Sequence, residues 1–137
     1  MSVNKLQDKL SIILVTSPIA SHPSTELLEK VISSFELVEE LSSCRLLIIG
    51  DGVKRGKFRP KRGSVTSDMI DNYRTYLANI EHMIANADGG SIWSNTTLIQ
   101  MPEHVGFGHA VYHGLKMCHT EYVMVVQHDH PFSVNFR

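Results

Sequence analysis

A chain of 137 residues, 42% hydrophobic and 20% charged, has the make-up of one folded domain and excludes the disordered and fibrous classes. Its net charge of -1 at pH 7 sets up no overall field toward nucleic acid or an anionic membrane, so neither is expected as a partner. No apolar run nears the roughly 18 residues of a membrane span. The N-terminal "MSVNKLQDKL" lacks a signal-peptide core, and Cys44 and Cys118 lie far apart without disulfide or zinc spacing, so a cytoplasmic setting is expected.

In chain order, residues 1–9 read as an N-terminal extension and 10–137 as the domain. "LSIILVT" (Leu10 to Thr16) is a short β-rich apolar run, closed by the turn-rich "SPIASHPS". In "STELLEKVISSFELVEEL", Leu28, Val31, Ile32, Phe35 and Val38 recur at helical spacing, which predicts one amphipathic helix with Pro23 in its opening turn. "CRLLIIG" (Cys44 to Gly50) is a second buried-strand run, ended by Asp51-Gly52. "VKRGKFRPKRGS" then interrupts the pattern with Lys54, Arg55, Lys57, Arg59, Lys61 and Arg62, an exposed basic loop.

Met69, Ile70, Tyr73, Leu77, Ile80, Met83 and Ile84 share one face of a long helix, with Thr66 or Ser67 as its cap and Gly89-Gly90 past its end. "TTLIQM" (Thr96 to Met101) is the third strand. "VGFGHAVYHGLKMCH" is the third helix, with Phe107, Ala110, Val111, Gly114 and Cys118 along one side. Tyr122 to Val126 is the fourth strand, stopping at Gln127-His128-Asp129-His130.

The resulting βαβαβαβ order predicts a parallel α/β sheet with helices on both faces, since parallel neighbours need crossovers and crossovers are right-handed. In such sheets ligands bind beyond the strand C-termini, where the strand order reverses. Thr16-Ser17, Asp51-Gly52, Pro102-Glu103 and Gln127 to His130 all leave those termini.

"LLIIGDGV" and, above all, "PEHVGFGHAVYHGLKMCHTEYVMVVQHDHPF" resemble the donor-binding half of GT-A-type glycosyltransferases. The closest likeness is to the large inverting family with an Asp-x-Asp strand end. Pro102, Glu103, Gly106, Ala110, Gly114, Leu115, Tyr122 and Asp129 fall in that pattern, as does Asp51-Gly52. The chain departs from it at Gln127 (the first Asp of Asp-x-Asp), at Val111-Tyr112 (Arg-Asn) and at Val53 (Ser). The family's acceptor half would follow the last strand, so the chain reads as truncated before it, and no catalytic base is identified.

The resemblance implies a Rossmann-like nucleotide-diphospho-sugar domain transferring a sugar, UDP-type donors favoured, to an unknown acceptor. Thr16, Ser17, Asp51, Gln127 and His128 are then the expected nucleotide-sugar-binding residues. Asp51 would accept from a base N–H, although Asp-Gly is also an ordinary turn dipeptide. Asp129 and His130 are the expected ligands of Mg²⁺ or Mn²⁺, which would offset the charge on a departing diphosphate.

Other readings stand beside this one. Gly106 and Gly108 do not form a phosphate loop and are expected to serve close helix–sheet packing. His109 and His113 have a zinc-compatible spacing, with His119 or His128 as a third ligand. The first strand–helix turn lacks glycine, which argues against a dinucleotide-binding domain. A truncated or degenerate non-catalytic α/β domain is the alternative to an enzyme.

Overall fold

The computed structural model describes residues 5–18, 23–52 and 67–128. Strands β1 (Leu10–Thr16), β2 (Arg45–Gly50), β3 (Thr96–Gln100) and β4 (Tyr122–Gln127) form one all-parallel sheet in the order β3-β2-β1-β4. Helices α1 (Glu26–Ser33), α2 (Ser67–Ala85) and α3 (Phe107–Lys116) connect them. This is the Rossmann-like α/β architecture expected from the sequence, with helices on both faces. Among the described residues no helix is long and apolar enough to cross a membrane.

Right-handed crossovers set the layers. The steps from β1 to β2 and from β2 to β3 run the same way across the sheet, which puts α1 and α2 on one face. The step from β3 to β4 runs back past two strands, which sends α3 to the other. The two cores follow from strand alternation. Ile12, Leu14, Leu46 and Ile48 face α1 and α2, packing on Leu28, Val31, Ile32, Phe35, Tyr73, Tyr76 and Ile80. Ile13, Val15, Leu47 and Ile49 face α3 and pack on Ala110.

The α3 face is the thinner layer. Ten helical residues span about 15 Å, and α3 contacts β1 and β2. At the edge strand β4, Val125 on this face therefore stays exposed, and Tyr122 on the other face is exposed too, although the apolar run predicted a strand covered on both sides. Phe107, expected along the buried side of α3, is exposed as well.

The first helix is shorter than its periodicity predicts. It turns into a 3-10 segment at Ser34–Leu37, where the Ser34 hydroxyl donates to the Val31 carbonyl at 2.5 Å and competes with the helical ladder. Phe35 is still buried, so the apolar spacing survives the change of helix type.

Glycine acts at other positions than expected. Among the described residues a Cβ on Gly106 or Gly108 would meet nothing within 4 Å, so neither serves close packing against them. Gly106 instead adopts φ 83° as the residue that starts α3, a conformation that favours glycine. Gly114 is the packing glycine, where a Cβ would lie 3.0 Å from Ile13 on β1.

Candidate functional site

The parallel register brings the strand C-termini level. Asp51 N–H donates to the Thr16 carbonyl at 2.9 Å, and Met101 N–H donates to the Gly50 carbonyl at 2.8 Å. Val15 pairs with Gln127, which puts His128 next to Thr16. Along this edge the order is Met101, Asp51, Thr16, His128. The strand order reverses between β1 and β4, so the topological switch point lies between Thr16 and His128.

Alternation sorts these residues by face. Thr16 and Gly50 face α2: the Thr16 hydroxyl meets Tyr76, and a Cβ on Gly50 would lie 2.9 Å from Leu77 and 3.3 Å from the Tyr73 hydroxyl. His128 joins this side, its Nδ1 2.8 Å from Thr16 Oγ1. Thr16 Oγ1 lies 2.8 Å from the Tyr76 hydroxyl, which makes a continuous chain Tyr76–Thr16–His128. Tyr73 closes the floor by donating to the Asp51 carbonyl at 2.7 Å.

Both tyrosines are buried against the sheet, their rings stacked with centroids 6.0 Å apart. Burial pushes the Tyr76 phenol up to about 12, partly countered by its hydrogen bond to Thr16. Burial also pushes the Tyr73 phenol far up, with the Tyr76 and Asp51 charges adding to the shift.

Asp51 faces the α3 side, and its carboxylate is only 3% exposed. Oδ1 accepts from Gly52 N–H at 2.8 Å and Val105 N–H at 2.9 Å, and Oδ2 accepts from Gly106 N–H at 3.1 Å. His104 Nδ1 lies 3.2 Å from the same Oδ2. Three backbone N–H groups thus converge on a carboxylate that offers about four acceptor sites, and Asp51 clasps the loop that leads into α3. Gly52 permits the clasp, because a Cβ there would lie 2.0 Å from the Glu103 carbonyl carbon.

A cavity of about 680 Å³ lies beside the clasp. It opens between α2, through Tyr73, Arg74 and Leu77, and the loop after β3, through Met101, Pro102, Glu103 and His104. Its volume is within the range of small-molecule sites. It sits at the β2–β3 end of the sheet edge rather than at the switch point between β1 and β4.

Of the residues expected to bind a nucleotide sugar, the structure joins Thr16 and His128, with Ser17 half-buried beside Thr16. Alternation places exposed Gln127 on the opposite face, with Val123. Asp129, His130 and the basic loop Lys54 to Arg62 lie outside the described residues. Among the described residues no group of three or more His, Cys, Asp or Glu could hold a metal ion, and this includes His109 and His113. On α3, His113 instead lies edge-on to Tyr112, whose ring lies under Lys116 Nζ at 4.3 Å.

Tyr73, Tyr76, His104 and Val105 were not singled out as site residues from the sequence. The tyrosines belong to the apolar face of a helix, where a core role is the ordinary expectation. The bonds of Val105 are made by its backbone, which carries no residue signature. No protein-family model matches the chain, and no curated protein matches it as a relative.

Proposed function

We propose that the chain is the donor-binding half of a glycosyltransferase. In this reading it holds a nucleotide-diphosphate sugar, UDP-type favoured, across the C-terminal edge of the sheet for transfer to an acceptor. One observation carries the proposal: the reversal of strand order between β1 and β4, with Thr16 and His128 hydrogen-bonded to each other at its mouth. The resemblance agrees with it, because it runs through β4, whose end carries His128. Recognition is assigned to His128, with buried Thr16 beneath it. Asp51 is assigned to holding the loop in place.

The resemblance gives Mg²⁺ or Mn²⁺ to Asp129 and His130, which lie outside the described residues, so no step is routed through a metal. Where bound, such an ion would neutralise charge on a departing diphosphate.

Calorimetric titration of UDP, with and without Mn²⁺, tests the proposal on the wild type, His128→Ala and Asp129→Ala. Saturable binding that weakens at least tenfold in His128→Ala supports it. Affinity that ignores the metal and both substitutions removes it.

A second reading, a degenerate α/β domain that keeps the sheet and no turnover, is favoured by the Asp51 carboxylate, which already accepts from three backbone N–H groups. An absence of UDP binding under all conditions selects that reading.

A further inference from the structure

Among the described residues β4 pairs with β1 on one flank and with nothing on the other. In a parallel ladder, only alternate residues of a strand turn their peptide groups toward a given neighbour. Tyr122 N–H donates to the Lys9 carbonyl at 2.8 Å, so Tyr122, Met124 and Val126 serve β1. The N–H and C=O groups of Val123, Val125 and Gln127 therefore point away from the sheet, as donors and acceptors for a further strand.

Nothing along β4 blocks such pairing. Edge strands are commonly protected by a charge, a proline or a bulge. Tyr122 to Gln127 contains no charge and no proline, and its register with β1 runs unbroken from Leu10–Tyr122 to Val15–Gln127. Both faces are also underfilled at this edge. Val125 is 41% exposed on the α3 side, and Tyr122 is 60% exposed on the other.

We infer that the outer edge of β4 is an interface for a second copy of this chain, whose own β4 pairs with it antiparallel. An open ladder selects a strand as its partner, and a second copy fits for three reasons. A two-fold axis perpendicular to the sheet sets the two β4 strands antiparallel, keeps both α3 helices on one face and closes the assembly. Outward-pointing residues then lie opposite outward-pointing residues. Within the strand, Val123, Val125 and Gln127 meet one another on the α3 face, and Tyr122, Met124 and Val126 meet one another on the opposite face. No charge is set against a like charge. The net charge of -1 adds little repulsion between copies. This interface does not depend on the nucleotide-binding proposal.

Sedimentation velocity over a wide concentration range, joined to amide hydrogen exchange, tests the inference on the whole chain. The wild type should pass from monomer to dimer as concentration rises, with the Val123, Val125 and Gln127 amides slowing in step. Val125→Pro removes an N–H that β1 does not use, so the sheet keeps its ladder, and the dimer should weaken at least about tenfold. Val125→Lys keeps the N–H but sets an ammonium into the facing row of valines, and it should weaken the dimer as well. Urea unfolding checks that both variants fold; should Val125→Pro fail to, Val125→Lys decides by the same criterion.

A chain that stays monomeric throughout overturns the inference, whether its three edge amides exchange fast or are already covered by another segment of its own chain. So does a dimer in which those amides exchange as fast as in the dilute monomer, because the contact then lies elsewhere, for example at exposed Phe107 and Leu115 of α3. A dimer unmoved by both substitutions has the same meaning.

Discussion

The ends of β2 and β4 lie two strands apart on one sheet edge, yet they treat their polar side chains in opposite ways. At the β2 end, Asp51 accepts from three backbone N–H groups of its own chain, lies beside His104 and pins a loop. At the β4 end, His128 meets Thr16 by a side-chain bond that continues to Tyr76. The contrast teaches that an acidic residue at a strand C-terminus is not by that fact a ligand-binding group. What separates the two ends is how many of the chain's own N–H groups converge on the side chain.

Substitutions can break or sharpen this contrast. Asp51→Ala should have the largest effect. It leaves the Gly52, Val105 and Gly106 N–H groups without their acceptor, at about 3–5 kcal/mol of unfolding free energy by urea denaturation. A loss no greater than that of Thr16→Val would break the contrast. Gly52→Ala should follow at about 2–3 kcal/mol, because the new Cβ collides with the backbone of Glu103 and the loop must shift. Tyr73→Phe, which orphans the buried Asp51 carbonyl, should cost about 1–2 kcal/mol.

The tyrosines add a pH test with a definite sign. Their phenols titrate higher in the folded chain than in the unfolded one, so their contribution is fully present below about pH 10. It is lost as pH climbs through the folded value, about 12 for Tyr76. Between these limits stability should fall by up to about 1.4 kcal/mol per pH unit for each tyrosine. Tyr76→Phe should flatten that slope, as read by urea melts at stepped alkaline pH. The smallest effect is expected at Lys30→Ala. Its exposed pair with Glu26 one turn earlier on α1 is worth less than about 0.5 kcal/mol, a baseline for the others.

The fold was legible because its determinants are local. Each strand is a short apolar run bounded by turn residues, and the four observed strands begin and end within one residue of the runs read from the sequence. The first helix was misjudged because apolar spacing does not distinguish an α-helix from an α-helix that tightens at a serine pair. The site was less legible for the opposite reason. The partners of Asp51 lie at Val105 and Gly106, and those of Thr16 at Tyr76 and His128, all brought near only by the sheet register. Asp51-Gly52 looks the same in sequence whether its carboxylate waits for a ligand or holds a loop. The glycines show the same limit: Gly106 and Gly108 drew attention as a pair, while Gly114, alone in the middle of α3, meets Ile13.

The pairing of Leu10 with Tyr122 joins β1 to β4, the first and last strands among the described residues. A ribosome releases β1, β2 and β3 in turn, and these can assemble early, but β1 lacks its β4 neighbour until β4 emerges. Until then the peptide groups along Ile12 to Val15 wait for their partners on that side. Pairing across so long a stretch of chain is slow, and an open strand flank invites contact with other nascent chains. A strand interior to the finished sheet is thus a vulnerable one during birth.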